Sequence, residues 1–320
     1  MLKASLMKGF SSGKSTSWTL IKYIFPITFF VSIIQYTPIF PWLMELITPL
    51  MGFIGLRPES AIPLVFGITM NLYAAIGAIL SLELTVKEVF ILATMLSFCH
   101  NIFIESAIAK SAGVKVWITL VIRFGLMIVS ALVIQFFYTG GSQLAKMVGT
   151  TQETLELTGW SEILFYGLQS AISKVFVIIC VVFPIVILVQ LLKDYELFNY
   201  VVKLTKPLTK MLKMSDKTSA TLTAGLLFGF IYGAGLIIQS VKEDSLTYRD
   251  VTLTFIFLST AHAVLEDTFI FLPLGINVWW LLVIRVVAAI FLTILVATFW
   301  KEDQTKEGIQ HEQKNQYGAI

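Results

Sequence analysis

The stretch Leu96-Ser-Phe-Cys-His-Asn-Ile-Phe-Ile-Glu-Ser106, which continues through Gly113-Val-Lys-Val-Trp117 to Arg123, decides the fold. A second version, Leu258-Ser-Thr-Ala-His-Ala-Val-Leu-Glu-Asp-Thr268, continues through Gly275-Ile-Asn-Val-Trp279 to Arg285 at a constant offset of 162 positions. Each version sets a histidine, an acid and an arginine inside otherwise apolar sequence. The chain is therefore predicted to be an internal duplication in which the same kinds of polar groups occur in both copies.

The duplication extends well beyond these stretches. Aligned without a gap from Leu64/Leu226 to Arg123/Arg285, 18 of 60 pairs are identical, with Phe66-Gly67 placed opposite Phe228-Gly229. Upstream the offset becomes 158, where Phe25-Pro26-Ile27 matches Phe183-Pro184-Ile185. Shared hydrophobicity would match leucines and valines, but not histidine, arginine, tryptophan and proline in register.

Composition places the protein in a membrane. The chain is 57% hydrophobic and 13% charged, whereas soluble domains carry about 25% charged residues. The net charge of +3 is too small and too dispersed to suggest nucleic-acid binding, and the two cysteines, Cys99 and Cys180, form no metal-finger spacing. The sequence has no Ser/His/Asp order or zinc-protease motif, so neither an enzyme nor a cofactor is expected.

Eight stretches are long and apolar enough to be predicted as membrane spans. The predicted fold class is all-α and polytopic, with about 8–10 transmembrane helices in two repeats, and with two interfacial helices at 39–56 and 198–214. We expect repeat 1 over 1–137, a linker with a lead-in helix over 138–172, repeat 2 over 173–300 and a disordered polar tail over 301–320. The predicted spans are 18–37, 60–82, 88–109, 114–138, 173–193, 218–241, 250–272 and 276–300.

Lysine distribution bears on orientation. The lysines at 3, 8 and 14 and the six between 193 and 217 all favour the inner side of the membrane. Eight simple spans would put these two regions on opposite sides. We therefore expect an extra crossing or re-entrant segment in the first half, which would make the repeats inverted.

The polar residues inside the spans are the candidate site, because ionisable groups there are costly and usually serve a pathway or a partner. Glu105 and Arg123 flank Gly113 at similar depth, roughly 12–15 Å along their helices, so they are expected to pair. Asp267 and Arg285 repeat this arrangement around Gly275. His262 and Glu266 are four apart, which predicts a shared helical face, whereas His100 and Glu105 are five apart and have Asn101 between them.

These groups leave several interpretations open. The histidines and acids could bind a divalent ion, relay protons or serve only structure, and the arginines would balance charge. The glycines at 225, 229 and 233 could serve close helix packing. Alternatively, Gly67 and Gly229 mark breaks where Asn71, Tyr73 or Tyr232 faces a ligand.

The duplicated unit resembles the nucleoside-recognition, or Gate, domain family. The resemblance rests on the Phe-Gly spans, the polar break near each histidine and the Gly-x-x-Val-Trp entry to the last helix, and two copies would cover most of 16–300. Relatives in that family include the membrane regions of ferrous-iron permeases and the spore maturation proteins. The resemblance implies nucleosides as ligands; the cysteine- and proline-bearing motif of the iron permeases and a nucleotide-binding P-loop are both missing from this sequence.

The predicted function is a multi-pass transporter or permease of a prokaryotic plasma membrane, carrying a nucleoside-like solute or an ion. The predicted partners are the lipid bilayer and that substrate; a homo-oligomer or a membrane partner protein is left open. The alternative is a non-transporting assembly or regulatory factor. The predicted substrate-binding residues, at the interface of the repeats, are His100, Asn101, Glu105, His262, Glu266, Asp267, Asn71 and Tyr232, with Arg123 and Arg285 balancing charge.

Overall fold

A computed structural model describes residues 2–146, 159–194, 197–230, 233, 235 and 246–300. Tyr232 and the predicted tail at 301–320 lie outside this part of the chain, as does 147–158 of the predicted linker. The described residues form helices joined by short turns, and the all-α fold class is confirmed. The α-helices are α1 (Leu2–Ile34), α2 (Ile39–Phe53), α3 (Ala61–Thr69), α4 (Leu72–Ile79), α5 (Val86–Phe98), α6 (Ile102–Ser111), α7 (Val116–Phe137), α8 (Trp160–Asp194), α9 (Leu197–Met211), α10 (Ser219–Phe228), α11 (Tyr248–Thr260), α12 (Glu266–Phe269) and α13 (Val278–Phe299).

Fewer stretches than the predicted eight are long enough to cross a bilayer. In the described part of the chain, five helical segments qualify, or six if a bent pair, 39–53 with 58–69, counts as one span. Several predicted spans are divided: 60–82 breaks between α3 and α4, 88–109 between α5 and α6, 218–241 after α10, and 250–272 after α11. Hydropathy alone does not show where a span is interrupted. The five segments are Ser5–Ile34, Val86–Ser111, Val116–Phe137, Trp160–Leu188 and Val278–Phe299.

The helices form two compact units, and neither unit is one repeat. Unit 1 comprises Met1–Asn101, Gly125–Leu191 and Glu266–Leu281. Unit 2 comprises Ile102–Phe124, Leu192–Leu265 and Leu282–Ile320. Each unit therefore takes the segment after the polar break from the other repeat. The duplication is visible in the sequence, but this exchange of segments is not.

The helix boundaries confirm the duplication. At an offset of 158, α2 matches α9, and the 3-10 turn Pro58–Ser60 matches Asp216–Thr218. At an offset of 162, α5 matches α11 and α7 matches α13, with equal lengths in both pairs. The four additional residues of repeat 2 therefore lie between α10 and α11.

This position corrects the predicted alignment of the glycines. A Cβ added at Gly67 would lie 2.2 Å from Leu96, and one added at Gly225 would lie 2.4 Å from Leu258, which is the equivalent leucine. Gly67 therefore corresponds to Gly225, and the pairing with Gly229 is wrong. Gly229 instead ends α10 at φ +95°, a conformation that glycine adopts without a steric penalty.

Equivalent polar contacts occur inside each repeat, near the start of α5 in repeat 1 and of α11 in repeat 2. Thr85 and Thr247 accept from the backbone N–H of Glu88 and Asp250, which caps the two helices alike. Lys87 donates to the carbonyl of Gln135, and Arg249 donates to that of Ala297, which occupies the equivalent position at the end of the last helix. A cation suits these carbonyls because they carry the negative end of the helix dipole.

Candidate functional site

Each candidate histidine lies directly after a helix, where the backbone leaves helical geometry. The C-cap residues that follow α5 and α11 are Cys99 (φ −136°, ψ 80°) and Ala261 (φ −143°, ψ 89°). One residue after each histidine the backbone turns to positive φ, at Asn101 (+50°) and Ala263 (+41°). Both repeats therefore build the same break, with similar angles at equivalent positions. A break frees backbone groups, which must find partners elsewhere inside a membrane protein.

The helices α3 and α10, which contain Gly67 and Gly225, supply those partners. The N–H of Asn101 donates to the carbonyl of Gly67 at 2.8 Å, and the N–H of Ala263 donates to that of Gly225 at 3.0 Å. The missing side chains of the two glycines leave room for Leu96 and Leu258. Each glycine therefore allows the helices to approach closely and supplies the acceptor that holds the break.

Both histidine rings have the same orientation. Nδ1 of His100 lies 2.7 Å from the carbonyl of Leu96, and Nδ1 of His262 lies 2.8 Å from that of Leu258. Because a carbonyl only accepts, Nδ1 must carry a proton in both rings. Nε2 is then the nitrogen whose protonation can change.

In unit 2, Nε2 of His262 lies 3.7 Å from Oε1 of Glu105. Glu105 also accepts from both terminal nitrogens of Arg123, and the two residues are 5% and 2% exposed. Arg285, which is fully buried, donates to the backbone carbonyl of His262 at 2.8 Å. The acid of repeat 1 therefore meets the histidine of repeat 2, and an arginine from each repeat stabilises the pair.

In unit 1 the pairing is reversed. A ring nitrogen of His100 and a carboxylate oxygen of Asp267 lie within 4.8 Å of each other, so the histidine of repeat 1 lies near the acid of repeat 2. Next to Asp267 in sequence, Glu266 accepts a 2.8 Å hydrogen bond from the hydroxyl of Tyr73. Asn71 caps α4 by accepting from the N–H of Ala74 at 3.0 Å.

Comparison with known proteins identifies the repeated unit. The family described as nucleoside recognition, Gate, matches residues 17–154 and 175–276, which include both breaks. The chain belongs to the Gate family. It is 44% identical over 301 residues, 94% of this chain and 96% of the relative, to a Bacillus subtilis (strain 168) protein named "Uncharacterized membrane protein YvoD". No solved structure matches.

The two Gate repeats place some of the predicted site residues as expected. The predicted pairing of Glu105 with Arg123 is confirmed. The prediction that His262 and Glu266 share a helical face is wrong, because α11 ends at Thr260 and the backbone turns at Ala263 before α12 begins. Asp267 lies in unit 1 and Arg285 in unit 2, so their pairing stays a prediction.

The sequence did not show that the pairs are crossed between the Gate repeats. Both histidines were predicted as site residues, but the acid that each one meets comes from the other repeat. Tyr73 was a candidate only as a residue near a break, and the structure makes it the hydrogen-bond donor to Glu266. Its offset equivalents in repeat 2 are not tyrosines, so the repeat comparison gave no signal for it.

Proposed function

We propose that this membrane protein is a transporter whose two histidine–acid pairs contact the substrate. The crossed pairing is the observation that carries the proposal. Each pair joins segments of the two Gate repeats inside one unit, so a movement of those segments against each other must separate or reform the pair. Duplicated membrane transporters commonly move their substrate by shifting one repeat against the other.

Protonation of Nε2 would control the strength of each pair. The neutral ring of His262 presents a lone pair on Nε2 towards a carboxylate, which is unfavourable. A proton on Nε2 turns the same approach into an ion pair. Transport would then involve loading and releasing protons at these rings, in step with separation of the pairs.

The family description favours a nucleoside-like solute as the substrate, with an ion as the other candidate. Carboxylates of Glu105, Glu266 and Asp267 would accept hydrogen bonds from hydroxyl or amino groups of a solute. The same oxygens, together with imidazole nitrogens, would bind a divalent ion. Arg123 and Arg285 would balance the acids or contact anionic groups.

Uptake into proteoliposomes tests the proposal, with nucleosides, divalent metal ions and organic anions offered separately. We expect His262→Ala combined with Asp267→Asn to reduce uptake of one of these classes about tenfold or more, because one member of each pair is lost. His311→Ala is the control, since it removes the third histidine of the chain and leaves both pairs intact. Unchanged uptake in the double variant would contradict the site assignment.

A second candidate function rests on α9. The lysines at 203, 206 and 210 of α9, and Lys213 just after it, are exposed, whereas Thr205, Thr209 and Leu212 are buried. Such a face suits an assembly or regulatory factor that recruits an acidic partner at the membrane surface of a prokaryotic cell. Co-purification of one stoichiometric partner, lost when three of these lysines become glutamate, would favour this function over transport.

A further inference from the structure

Unit 1 contains a cleft of about 300 Å³ that neither candidate histidine lines. It lies between the end of α1, residues 57–59, the loop after α4 and the first turns of α8. Because α1 is a candidate span that ends at Ile34, the cleft lies at the end of a span. Its polar and aromatic lining includes Ser32, Gln35, Tyr36, Glu59, Glu83 and Tyr166.

Two residues that line the cleft each have a buried side-chain oxygen with no hydrogen-bond partner among the described residues. These oxygens are Oγ of Ser32, a residue only 2% exposed, and Oε2 of Glu59. Buried polar atoms normally have partners, and leaving one without a partner costs stability. A ligand that donates hydrogen bonds would satisfy both atoms.

The charges of the cleft favour a cation. Arg57 is the one cation that lines the cleft in the described structure, and Glu88 neutralises it through a 2.8 Å hydrogen bond from Nε. Arg57 also donates to the backbone carbonyl of Glu83, which leaves the carboxylate of that residue uninvolved. The carboxylates of Glu59 and Glu83 have no ion-pair partner in the described part of the chain, so the cleft is net negative.

Aromatic rings line the cleft beside these acids. Tyr36 and Tyr166 meet edge to face, with ring centroids 6.4 Å apart. Partial burial and the nearby Glu83 carboxylate raise the pKa of Tyr36, so its hydroxyl stays neutral and able to donate. Aromatic rings with carboxylates are the combination that recognises organic ammonium groups. The volume is at the lower end of small-molecule sites and far exceeds that of a bare metal ion.

We propose that this cleft binds a small organic ammonium ion. Its N–H groups donate to Oε2 of Glu59 and Oγ of Ser32, Glu83 contributes charge at the rim, and its carbon skeleton packs against the tyrosine rings. At the 158 offset, Lys217 stands where repeat 1 has Glu59. The acid is therefore not repeated in repeat 2, and the cleft shares no lining residue with the proposed transport site.

Calorimetric titration of the full chain in an uncharged detergent tests this proposal with phenethylammonium as the probe. Phenylethanol and phenylacetate serve as neutral and anionic probes of the same shape. We expect saturable binding of phenethylammonium only, weakened about tenfold or more by Glu59→Gln and less by Ser32→Ala. Glu45→Gln is the matched control, because it removes an exposed carboxylate of unit 1 that does not line the cleft.

Equal binding of phenylethanol and phenethylammonium would overturn the proposal, as would full-strength binding to Glu59→Gln. Binding of Mg²⁺ with no binding of phenethylammonium would also overturn it. Glu83→Gln is a second test that should not disturb folding, because Glu83 is exposed at the rim. This variant should weaken the binding of phenethylammonium severalfold without shifting the unfolding temperature of the protein. Unaltered affinity in this variant would contradict the role given to Glu83.

Discussion

His100 and His262 follow equivalent helices whose C-cap residues, Cys99 and Ala261, have nearly the same backbone angles, but the residues next to the acids that they approach differ. The acid opposite His262 is Glu105, which is fixed by Arg123 inside unit 2. The acid opposite His100 is Asp267, whose sequence neighbour Glu266 is bonded to a tyrosine inside unit 1. The duplication thus preserves the break, while the groups around it differ. A shared backbone with unequal surroundings lets two similar pairs respond differently to protonation or ligand.

The helices α2 and α9 extend this contrast to the surface. They have equal lengths and a proline at the same position, Pro49 and Pro207. The outward side of α2 carries Trp42, Leu46 and Leu50, each more than 60% exposed, whereas that of α9 carries lysines. An exposed apolar face suits lipid chains, and a lysine face suits headgroups or water. The same helix has therefore been adapted to two environments.

The largest expected effect comes from breaking the acid–arginine pair of unit 2. Arg123→Met leaves Glu105 buried without its main counter-charge, which should cost about 3–5 kcal/mol of stability. The measurement is the free energy of unfolding in mixed SDS and dodecylmaltoside micelles. The change compared with it in unit 1 is Glu266→Gln. It should cost only about 1 kcal/mol of stability, because the amide oxygen can still accept the hydrogen bond from Tyr73.

The double variant Glu105→Gln with Arg123→Met checks the cause. It should recover most of the stability lost by Arg123→Met, since no unpaired charge then remains buried. If the single and double variants were equally unstable, the arginine would act through packing rather than charge. The contrast between the two units would then have to be explained in another way.

A smaller effect tests the revised correspondence of the glycines. Gly67→Ala and Gly225→Ala each force a methyl group against a leucine, which should cost about 1–3 kcal/mol in the same unfolding measurement. Leu96→Ala should partly rescue only Gly67→Ala, and Leu258→Ala only Gly225→Ala. By contrast, Gly229→Ala should not be rescued by Leu258→Ala, because its cost comes from positive φ. Rescue of Gly229→Ala would restore the original pairing with Gly67.

These glycines also show what the sequence could and could not predict. Identity of Phe-Gly at two places suggested the wrong register, since only contact with Leu96 and Leu258 distinguishes Gly225 from Gly229. The pairing of Glu105 with Arg123 was predictable, because both residues flank one turn at similar depth. The partner of His262 was not, because α11 ends two residues before this histidine and the acid comes from the other repeat. Sequence similarity between the two repeats does not predict which segment of one repeat packs against which segment of the other repeat.

Tyr73 tests whether the acidic side of unit 1 depends on a single hydroxyl. Tyr73→Phe removes the hydrogen bond to Glu266 and should cost about 1.5 kcal/mol, because the acceptor is a charged group. Tyr23→Phe is the control, since no hydrogen bond from its hydroxyl is found among the described residues. Equal losses in the two variants would show that the bond to Glu266 contributes nothing to stability.

The smallest expected effect is one that should be the same in both repeats. Thr85→Ala and Thr247→Ala each remove the side-chain oxygen that caps α5 or α11, at a cost of about 1 kcal/mol. Because the two caps have the same geometry, the two losses should agree closely in the unfolding measurement, and Thr→Ser at either position should restore most of the stability. A clear difference between the losses would mean that the surroundings change even the shared backbone. The contrast between the repeats would then begin at the start of these helices, well before the histidines.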